Sequence, residues 1–236
     1  GFNMEVLRRF REIWTIRRRL GDRLLADRPD VFIGVDAPDF NLGLEARLKA
    51  QGVKTVHFVC PSIWAWRPER VQKIRDSVDH VLCIYPFEPD LLSQYGLAAT
   101  FVGHPLANLI PEQADKAAAR TQLGLPQQAR VLAVLPGSRK DEIKHLLPRF
   151  LAAVELLRQQ QPDLLAVLPV APGMSGVVND IARQFPGVRH LQIIQGQSHA
   201  VMATADVAMV ASGTATLEAA LFKCPMGIDY AMTWLS

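Results

Sequence analysis

Apolar residues in this 236-residue chain fall into short continuous runs and longer stretches with helical spacing. Continuous runs are typical of strands buried on both faces, because such strands do not alternate apolar and polar positions. Most of them precede a turn signal and a helical pattern, which predicts a parallel α/β fold. The predicted strands are Val31–Val35, Thr55–Cys60, His80–Ile84, Thr100–Val102, Val131–Leu135, Leu164–Val170, Arg189–Ile194, Val207–Val210 and Met226–Tyr230.

The series of strands and helices is interrupted once, by a polar, alanine-rich stretch. This predicted linker covers residues 107–128 and contains PEQADKAAARTQLGLP. It separates an N-terminal half, residues 1–106, from a C-terminal half, residues 129–236. Each half is predicted to be a Rossmann-like domain.

The first 28 residues carry eight arginines against four acids, although the net charge of the chain is only +3. Apolar positions at spacings of three, four and seven predict an amphipathic helix over residues 5–26. It is either a domain helix with a solvated basic face or a contact with an anionic membrane surface. Nucleic acid is not expected to be a partner, because no stripe of Lys and Arg interleaved with aromatics recurs. The candidate membrane-contact residues are Arg8, Arg9, Phe10, Trp14, Arg17, Arg18 and Arg19.

Three cysteines, Cys60, Cys83 and Cys224, are odd in number, lack CxxC spacing and lie in or beside apolar runs. They are therefore predicted to be buried free thiols, which favours a reducing, cytoplasmic compartment. No apolar run approaches the ~20 residues that cross a bilayer, and the N-terminus lacks the order of a signal peptide. We expect neither a membrane span nor an export signal.

Ligands of parallel α/β sheets bind beyond the carboxyl ends of the strands, so the residues after each strand are candidate site residues. The fifth predicted strand is followed by the turn PGSR. The amides of Gly137 and Ser138 and the guanidinium of Arg139 would bind an anion such as a diphosphate. The alternative is an arginine that pairs with an acid of the next helix, Asp141 or Glu142.

A second turn of the same kind follows the eighth predicted strand, in ASGTATLE. Ser212, Gly213 and Thr214 turn the chain into a helix and offer N–H groups and hydroxyls to a phosphate. Glu218 either interacts with the helix dipole or accepts both hydroxyls of a ribose. Two such turns in one half indicate a nucleotide diphosphate more strongly than either turn alone.

Two acids follow the first predicted strand, in GVDAPDFN. Asp39 is predicted to cap the helix that runs to Gln51, with Gly52 closing that helix. Asp36 differs, because an acid at the carboxyl end of a buried strand lies where a substrate would bind. It is the candidate general base.

The loop after the second predicted strand, PSIWAWR, is rich in aromatic side chains. Its tryptophans either cover a sheet edge or wall a substrate groove. The candidate groove residues are Trp64, Trp66 and Arg67.

Five motifs follow one another along the chain: GVDAPDFN, PSIWAWR, FVGHPLA, VLPGSR and ASGTATLEAAL. In order and separation they resemble the lipid-A-disaccharide synthase family, glycosyltransferases of the GT-B type. The resemblance covers essentially the whole chain and implies two Rossmann-like domains with parallel sheets facing a central crevice. It also implies that the chain is incomplete at both ends, because family members begin with another strand and continue past Tyr230.

The resemblance implies that 2,3-diacylglucosamine is transferred, with inversion, from its UDP-linked form to 2,3-diacylglucosamine 1-phosphate, a step of lipid A and lipopolysaccharide synthesis in Gram-negative bacteria. No metal or other cofactor is expected. Asp36 would take the proton of the acceptor's 6-hydroxyl, Arg139 and the two turns would stabilise the leaving UDP, and Glu218 would hold the ribose. Since both substrates carry acyl chains, the protein is expected to be peripheral on the cytoplasmic face of the inner membrane.

Two other functions fit the same residues. A UDP-sugar epimerase of the GT-B type would use the same nucleotide half with a different first half. In a non-catalytic nucleotide- or sugar-binding fragment, Asp36 would have no catalytic role. The oligomeric state is left open, with a homodimer among the alternatives.

Overall fold

The computed structural model describes residues 4–63 and 70–230, and the side chains of residues 11–63 and 70–230. The chain divides into two units, Gly1–Pro105 and Leu106–Ser236. Each unit is built on its own sheet of parallel strands flanked by helices, which confirms the predicted α/β class. All nine predicted strands form, close to their predicted ends.

The first unit has a four-stranded sheet in the order β1-β2-β3-β4. All neighbouring strands are parallel, as expected where helices connect successive strands. Its elements are α1 (Met4–Asp27), β1 (Val31–Val35), α2 (Pro38–Lys49), β2 (Lys54–Phe58), α3 (Arg70–Ser77), β3 (His80–Cys83), α4 (Glu88–Ser93) and β4 (Ala99–Phe101), with α5 (Pro105–Leu109) crossing into the second unit.

The predicted amphipathic helix is α1, which packs on α2. Gly21 is buried at this contact, where a side chain would bring a Cβ within 2.6 Å of Nη1 of Arg47. Arg47 in turn donates to the carboxylate of Asp22 at 2.6 Å and to the carbonyl of Arg18 at 3.2 Å. A glycine that lowers helix propensity therefore permits the close approach of two helices.

The prediction that Asp39 caps α2 is wrong. The helix begins at Pro38, its N-cap is Ala37, and no side chain caps it. Asp36 and Ala37 have φ of 50° and 43°, so the chain turns into the helix before it reaches Asp39. Pro38 then takes the first helical position, for which its fixed φ is suited. At the other end Gly52 has φ of 81° and closes the helix as predicted.

The second unit has a five-stranded parallel sheet in the order β7-β6-β5-β8-β9. The chain starts at the centre, moves out to one side and returns to continue on the other, which is a doubly wound order with a switch point between β5 and β8. Apolar clusters cover both faces of this sheet, so the central strand β5 is buried throughout. The elements are α6 (Lys116–Gln122), β5 (Val131–Leu135), α7 (Lys140–Gln160), β6 (Leu165–Val170), α8 (Ser175–Ala182), a 3₁₀ turn (Pro186–Val188), β7 (Gln192–Gln195), α9 (Ser198–Thr204), β8 (Val207–Ala211), α10 (Thr214–Leu221) and β9 (Met226–Asp229).

Residues 107–128, predicted as a linker, contain helix α6, which is tied to the second unit through Asp206. The carboxylate of Asp206 accepts from Nζ of Lys116 at 2.5 Å and from the buried guanidinium of Arg120 at 3.1 Å. It also accepts from the amide of Val131 at 2.7 Å. One carboxylate thus joins α6 to the start of the central strand.

The stability of the second unit is expected to depend on Asp206 at acid pH. Burial acts to raise the pKa of Asp206, but the hydrogen bonds from Lys116 and the Val131 amide and the charges of Lys116 and Arg120 outweigh it, so the pKa is lowered. A lowered pKa in the folded state contributes stability above the unfolded pKa, about 4, which is lost as the pH falls further. Thermal unfolding of Asp206→Asn should therefore occur at lower temperature at pH 7 and lose less between pH 5 and about 3.

Asp163→Asn is the matched control, because Asp163 is exposed and makes no ion pair in the part of the chain that the structure describes. It should leave the thermal midpoint and its pH dependence unchanged. Equal acid sensitivity of Asp206→Asn and the unsubstituted chain would contradict the prediction.

All three cysteines are free and buried, as predicted. Burial raises the pKa of the Cys224 thiol, which keeps that side chain protonated at neutral pH. Among the described helices, none combines the length and the apolar character that a bilayer span requires.

Candidate functional site

The two predicted phosphate-binding turns lie side by side at the switch point of the second sheet. Strands β5 and β8 are paired up to Leu135 and Val210, so the turns that follow them leave the same edge of the sheet. Between them is a cavity of about 470 Å³. It is lined by every residue predicted to bind the nucleotide: Gly137, Ser138, Arg139, Ser212, Gly213, Thr214 and Glu218.

The cavity also takes residues from the two strands on the outer side of β5. These are the segment Pro169–Pro172 at the end of β6, and Gly196 and Ser198 after β7. None of these residues was predicted from the sequence. The rule that ligands bind beyond strand ends applies to them equally and would have found them.

The turn after β5 donates hydrogen bonds to an acid of the helix that follows it, α7. Gly137 has φ of 103°, and a Cβ there would lie 2.5 Å from Oε2 of Glu142. Glu142 accepts from the amides of Ser138 and Arg139, both at 3.3 Å, and from Nη1 of Arg139 at 2.8 Å. The alternative interpretation, an arginine paired with an acid of the next helix, is therefore the arrangement seen. The prediction that the amide of Ser138 is available to an anion is wrong in this arrangement, because Glu142 already accepts from it. The Arg139 side chain is nonetheless 83% exposed, so other N–H groups of its fork remain open to an anion.

The turn after β8 presents the start of helix α10 to the cavity. Gly213 has φ of 154° and ψ of −157°, a conformation that is essentially restricted to glycine. The first bond into the helix runs from the amide of Thr216 to the carbonyl of Gly213, so the amide of Thr214 has no acceptor within the helix. The amide of Ser212 differs, because it donates to the carbonyl of Asp229. The donors of this turn are therefore those at the helix start.

Glu218 lies in the second turn of α10 and is largely buried, with 20% of its side chain exposed. Its Oε2 is 3.5 Å from Nε2 of His199, whose ring packs 5.6 Å from that of Phe222. This position disfavours the interpretation that Glu218 interacts with the helix dipole, because the dipole acts mainly within the first turn. His199 was not predicted as a site residue, because it comes from the separate helix α9.

Asp36 lies in the first unit, at the carboxyl end of β1, and is exposed. The prediction that this strand is buried is wrong: Val31, Ile33 and Val35, which share one face, are 47–58% exposed, so that face of the edge strand is uncovered in the described part of the chain. Among the described residues the carboxylate of Asp36 makes no hydrogen bond or ion pair, while its amide donates to the carbonyl of Phe58 at 2.9 Å. The predicted groove residues Trp64, Trp66 and Arg67 lie outside the described residues.

Helix α1 exposes apolar side chains beside its arginines. Ile13, Trp14 and Ile16 are each at least half exposed, and the guanidinium carbon of Arg18 lies 5.9 Å from the Trp14 ring centroid. Arg17 is different, because its Nη1 donates to the carbonyl of Asp39 at 3.2 Å and so faces α2. The remaining candidates Arg8, Arg9 and Phe10 have side chains outside the described residues; Arg19 is exposed.

A doubly wound unit with a cavity at its switch point, accompanied by a second parallel α/β unit, has the fold of the GT-B class. Solved structures share this fold. Staphylococcus aureus MnaA in a UDP co-structure has a TM-score of 0.65 and 14% identity, covering 94% of this chain and 64% of its own. A UDP-GlcNAc 2-epimerase from Neisseria meningitidis bound to UDP-GlcNAc has a TM-score of 0.64 and 12% identity, covering 92% and 63%.

Sequence comparison identifies the family. The sequence model of the lipid-A-disaccharide synthetase family matches residues 1–236, and the chain belongs to that family. It is 62% identical, over its whole length, to the lipid-A-disaccharide synthase of Albidiferax ferrireducens, of which it covers 61%. Over 98% of the chain it is 61% identical to the enzyme of Verminephrobacter eiseniae, of which it covers 60%. The chain thus spans about three-fifths of the length of these curated relatives.

Proposed function

We propose that the full-length protein transfers 2,3-diacylglucosamine from its UDP-linked form to 2,3-diacylglucosamine 1-phosphate with inversion, releasing UDP. The observation that carries the proposal is the cavity at the switch point, formed by two phosphate-type turns in a chain of this family. Two fold neighbours, MnaA and the Neisseria epimerase, hold UDP and UDP-GlcNAc, which supports a UDP-sugar as the ligand of this cavity.

In this proposal the second unit binds the donor and stabilises the leaving group. The charge on the diphosphate increases as the glycosidic bond breaks, so groups aimed at it stabilise the transition state more than the substrate. Arg139 and the amides at the start of α10 are the donors placed for that task. Glu218 accepts the ribose hydroxyls, while its contact with His199 leaves one carboxylate oxygen for them.

Asp36 is proposed to be the general base on the acceptor side. Inversion requires that the 6-hydroxyl of the acceptor loses its proton as it attacks the anomeric carbon, and a carboxylate is a suitable acceptor for that proton. The exposed carboxylate of Asp36 has no partner among the described residues that would hold it away from a substrate. No metal or other cofactor is part of the proposal.

The test is an assay of the full-length protein with both acylated substrates. We expect UDP and the disaccharide 1-phosphate to form in equal amounts, with the β configuration of the new bond read by NMR. The control is UDP-N-acetylglucosamine alone, from which an epimerase would form the 2-epimer. Epimer formation without disaccharide would overturn the proposal, and so would UDP binding without either product.

We also propose that helix α1 brings the enzyme to an anionic membrane surface, where its acylated substrates reside. Apolar side chains beside arginines are the composition of helices that lie in a membrane interface. Ile13 and Ile16, three positions apart, lie on one face of the helix and are exposed. Arg17 contributes to the fold through Asp39, so the arginines proposed to face the lipid are those that remain exposed.

Replacing Arg11, Arg18 and Arg19 with Gln is expected to weaken binding to anionic vesicles. Each surface-proximal arginine contributes about 1 kcal/mol of attraction, so the triple variant should lose about 100-fold in partition coefficient at low salt. Raising the salt should weaken binding of the unsubstituted protein as well, because exposed charges are screened. Cosedimentation with phosphatidylglycerol vesicles measures both effects.

The matched control removes the same charge from the second unit, with Arg149, Arg183 and Arg189 replaced by Gln. These arginines are exposed and lie outside α1. Equal losses in the two triple variants would mean that net charge alone, and not helix α1, determines the binding.

A further inference from the structure

The candidate base Asp36 sits in an unusual backbone turn. Asp36 and Ala37 have φ of 50° and 43°, so two consecutive residues with side chains adopt the left-handed conformation. Such residues are uncommon outside glycine and persist only where surrounding contacts hold them. The contact that holds this turn therefore also determines how Asp36 is oriented.

Asn41 makes that contact from one turn into helix α2. Its side-chain nitrogen donates to the carbonyl of Asp36 at 2.7 Å and to the carbonyl of Val35 at 3.1 Å. A carboxamide nitrogen carries two hydrogens, so a single side chain satisfies two successive carbonyls. The two carbonyls belong to the peptide groups on either side of the Cα of Asp36. The pair of bonds therefore restrains the φ and ψ angles of that residue.

Asn41 is itself held in place by a close approach of α2 to strand β1. A Cβ on Gly34 would lie 3.2 Å from the Cβ of Asn41 and 2.0 Å from Oε1 of Glu45, so only glycine admits the helix here. Glu45, four positions after Asn41 and on the same helix face, has its Oε1 in a hydrogen bond with Nδ1 of His57 at 2.8 Å. Both side chains are fully buried. This buried pair links α2 to strand β2.

We propose that Asn41 is a positioning residue for Asp36, acting through the two carbonyls that flank it. The inference rests on the proposed function, in which Asp36 accepts the proton of the acceptor hydroxyl. In this proposal Asn41 acts on the backbone of Asp36 and is not assigned a contact with the substrate. Its loss therefore misaligns the base in the transition state and lowers kcat, while substrate binding is retained.

The experiment compares Asn41→Ala and Asn41→Asp in the full-length protein with both acylated substrates. Asn41→Asp keeps the size of the side chain but loses both N–H donors and sets carboxylate oxygens against two carbonyls. For both variants we expect kcat about 10–100-fold lower, with KM values and UDP affinity within about twofold of the unsubstituted enzyme. Asn179→Ala, on the exposed surface of α8, is the matched control and should leave kcat unchanged.

A second variant separates positioning from stability. Glycine adopts the left-handed conformation without steric cost, so Ala37→Gly added to Asn41→Ala should restore the thermal midpoint. It should not restore kcat, because the two bonds that fix Asp36 are still missing. Recovery of kcat together with the midpoint would overturn the proposal, as would Asn41 variants whose kcat per folded molecule stays near that of the unsubstituted enzyme. An unsubstituted enzyme without transferase activity, or a fully active Asp36→Asn variant, would instead overturn the proposed function itself.

Discussion

Replacing Asp36 with Asn in the full-length protein is expected to lower kcat by about 10²–10⁴-fold, the range that a positioned base contributes. An amide of nearly the same size cannot take the proton of the acceptor hydroxyl at neutral pH. The backbone should be undisturbed, because Asn tolerates the left-handed φ of this position as well as Asp does. The loss should therefore appear in kcat, measured by UDP release, with UDP affinity and the thermal midpoint unchanged.

The same motif supplies the matched control. Asp39 lies three positions further on, in the first turn of α2, with 85% of its side chain exposed and 3.8 Å from Arg70. Asp39→Asn changes the same charge and should keep kcat within about threefold of the unsubstituted enzyme. Equal losses at Asp36 and Asp39 would indicate a general effect of charge rather than a base. An Asp36→Asn enzyme that keeps its activity would remove the base from the mechanism.

The strands of the second sheet's centre could be predicted because their burial leaves a direct trace in the sequence, whereas the apolar run of β1 forms an exposed edge strand. A strand covered on both faces, such as β5, has apolar residues at every position, and the turn PGSR marks its end. The same regularity located the cavity at the switch point, since the residues that line it follow strands that pair with each other. The need for glycine at position 213 could also be expected, because a turn directly into a helix often needs a conformation that only glycine adopts.

Features set by tertiary contacts were not predictable. The start of α2 depends on the left-handed φ of Asp36 and Ala37, next to which Asn41 donates to the carbonyl of Asp36; Asp tolerates this conformation, but no local preference of Ala encodes it. His199 reaches Glu218 from another helix, so no spacing along the chain connects them. Helical periodicity grouped Arg17 with its neighbours, whereas the position of α2 decides which arginine turns inward.

The turn after β5 was a different kind of case, because the sequence allowed two local arrangements. Glu142 is three residues after Arg139, close enough to pair with it, and the turn amides could equally serve an anion. Both arrangements use the same donors, the turn amides and the guanidinium of Arg139. In the structure Glu142 takes Nη1 of Arg139, and the rest of the guanidinium remains exposed beside the cavity.

Replacing Arg139 with Ala in the full-length protein is expected to lower kcat/KM by about 10²–10³-fold, the usual cost of removing one group that stabilises developing charge. Most of the loss should fall on kcat, because the diphosphate gains charge only as the bond to the sugar breaks. Arg139→Lys keeps the charge but loses the planar fork, so it should recover only part of the rate. Steady-state kinetics with varied donor separates kcat from KM.

Hydrogen exchange with and without UDP supplies the structural control for Arg139→Ala. In the unsubstituted protein UDP should protect residues 136–140 and 211–218, which form the two turns of the cavity. In the variant, protection should weaken at the first turn and persist at the second, since the amides at the start of α10 are independent of Arg139. Arg183→Ala, an exposed arginine outside the cavity lining, should change neither rate nor protection. A variant within a few-fold of the unsubstituted rate would mean that the paired guanidinium is structural and that α10 alone stabilises the leaving diphosphate.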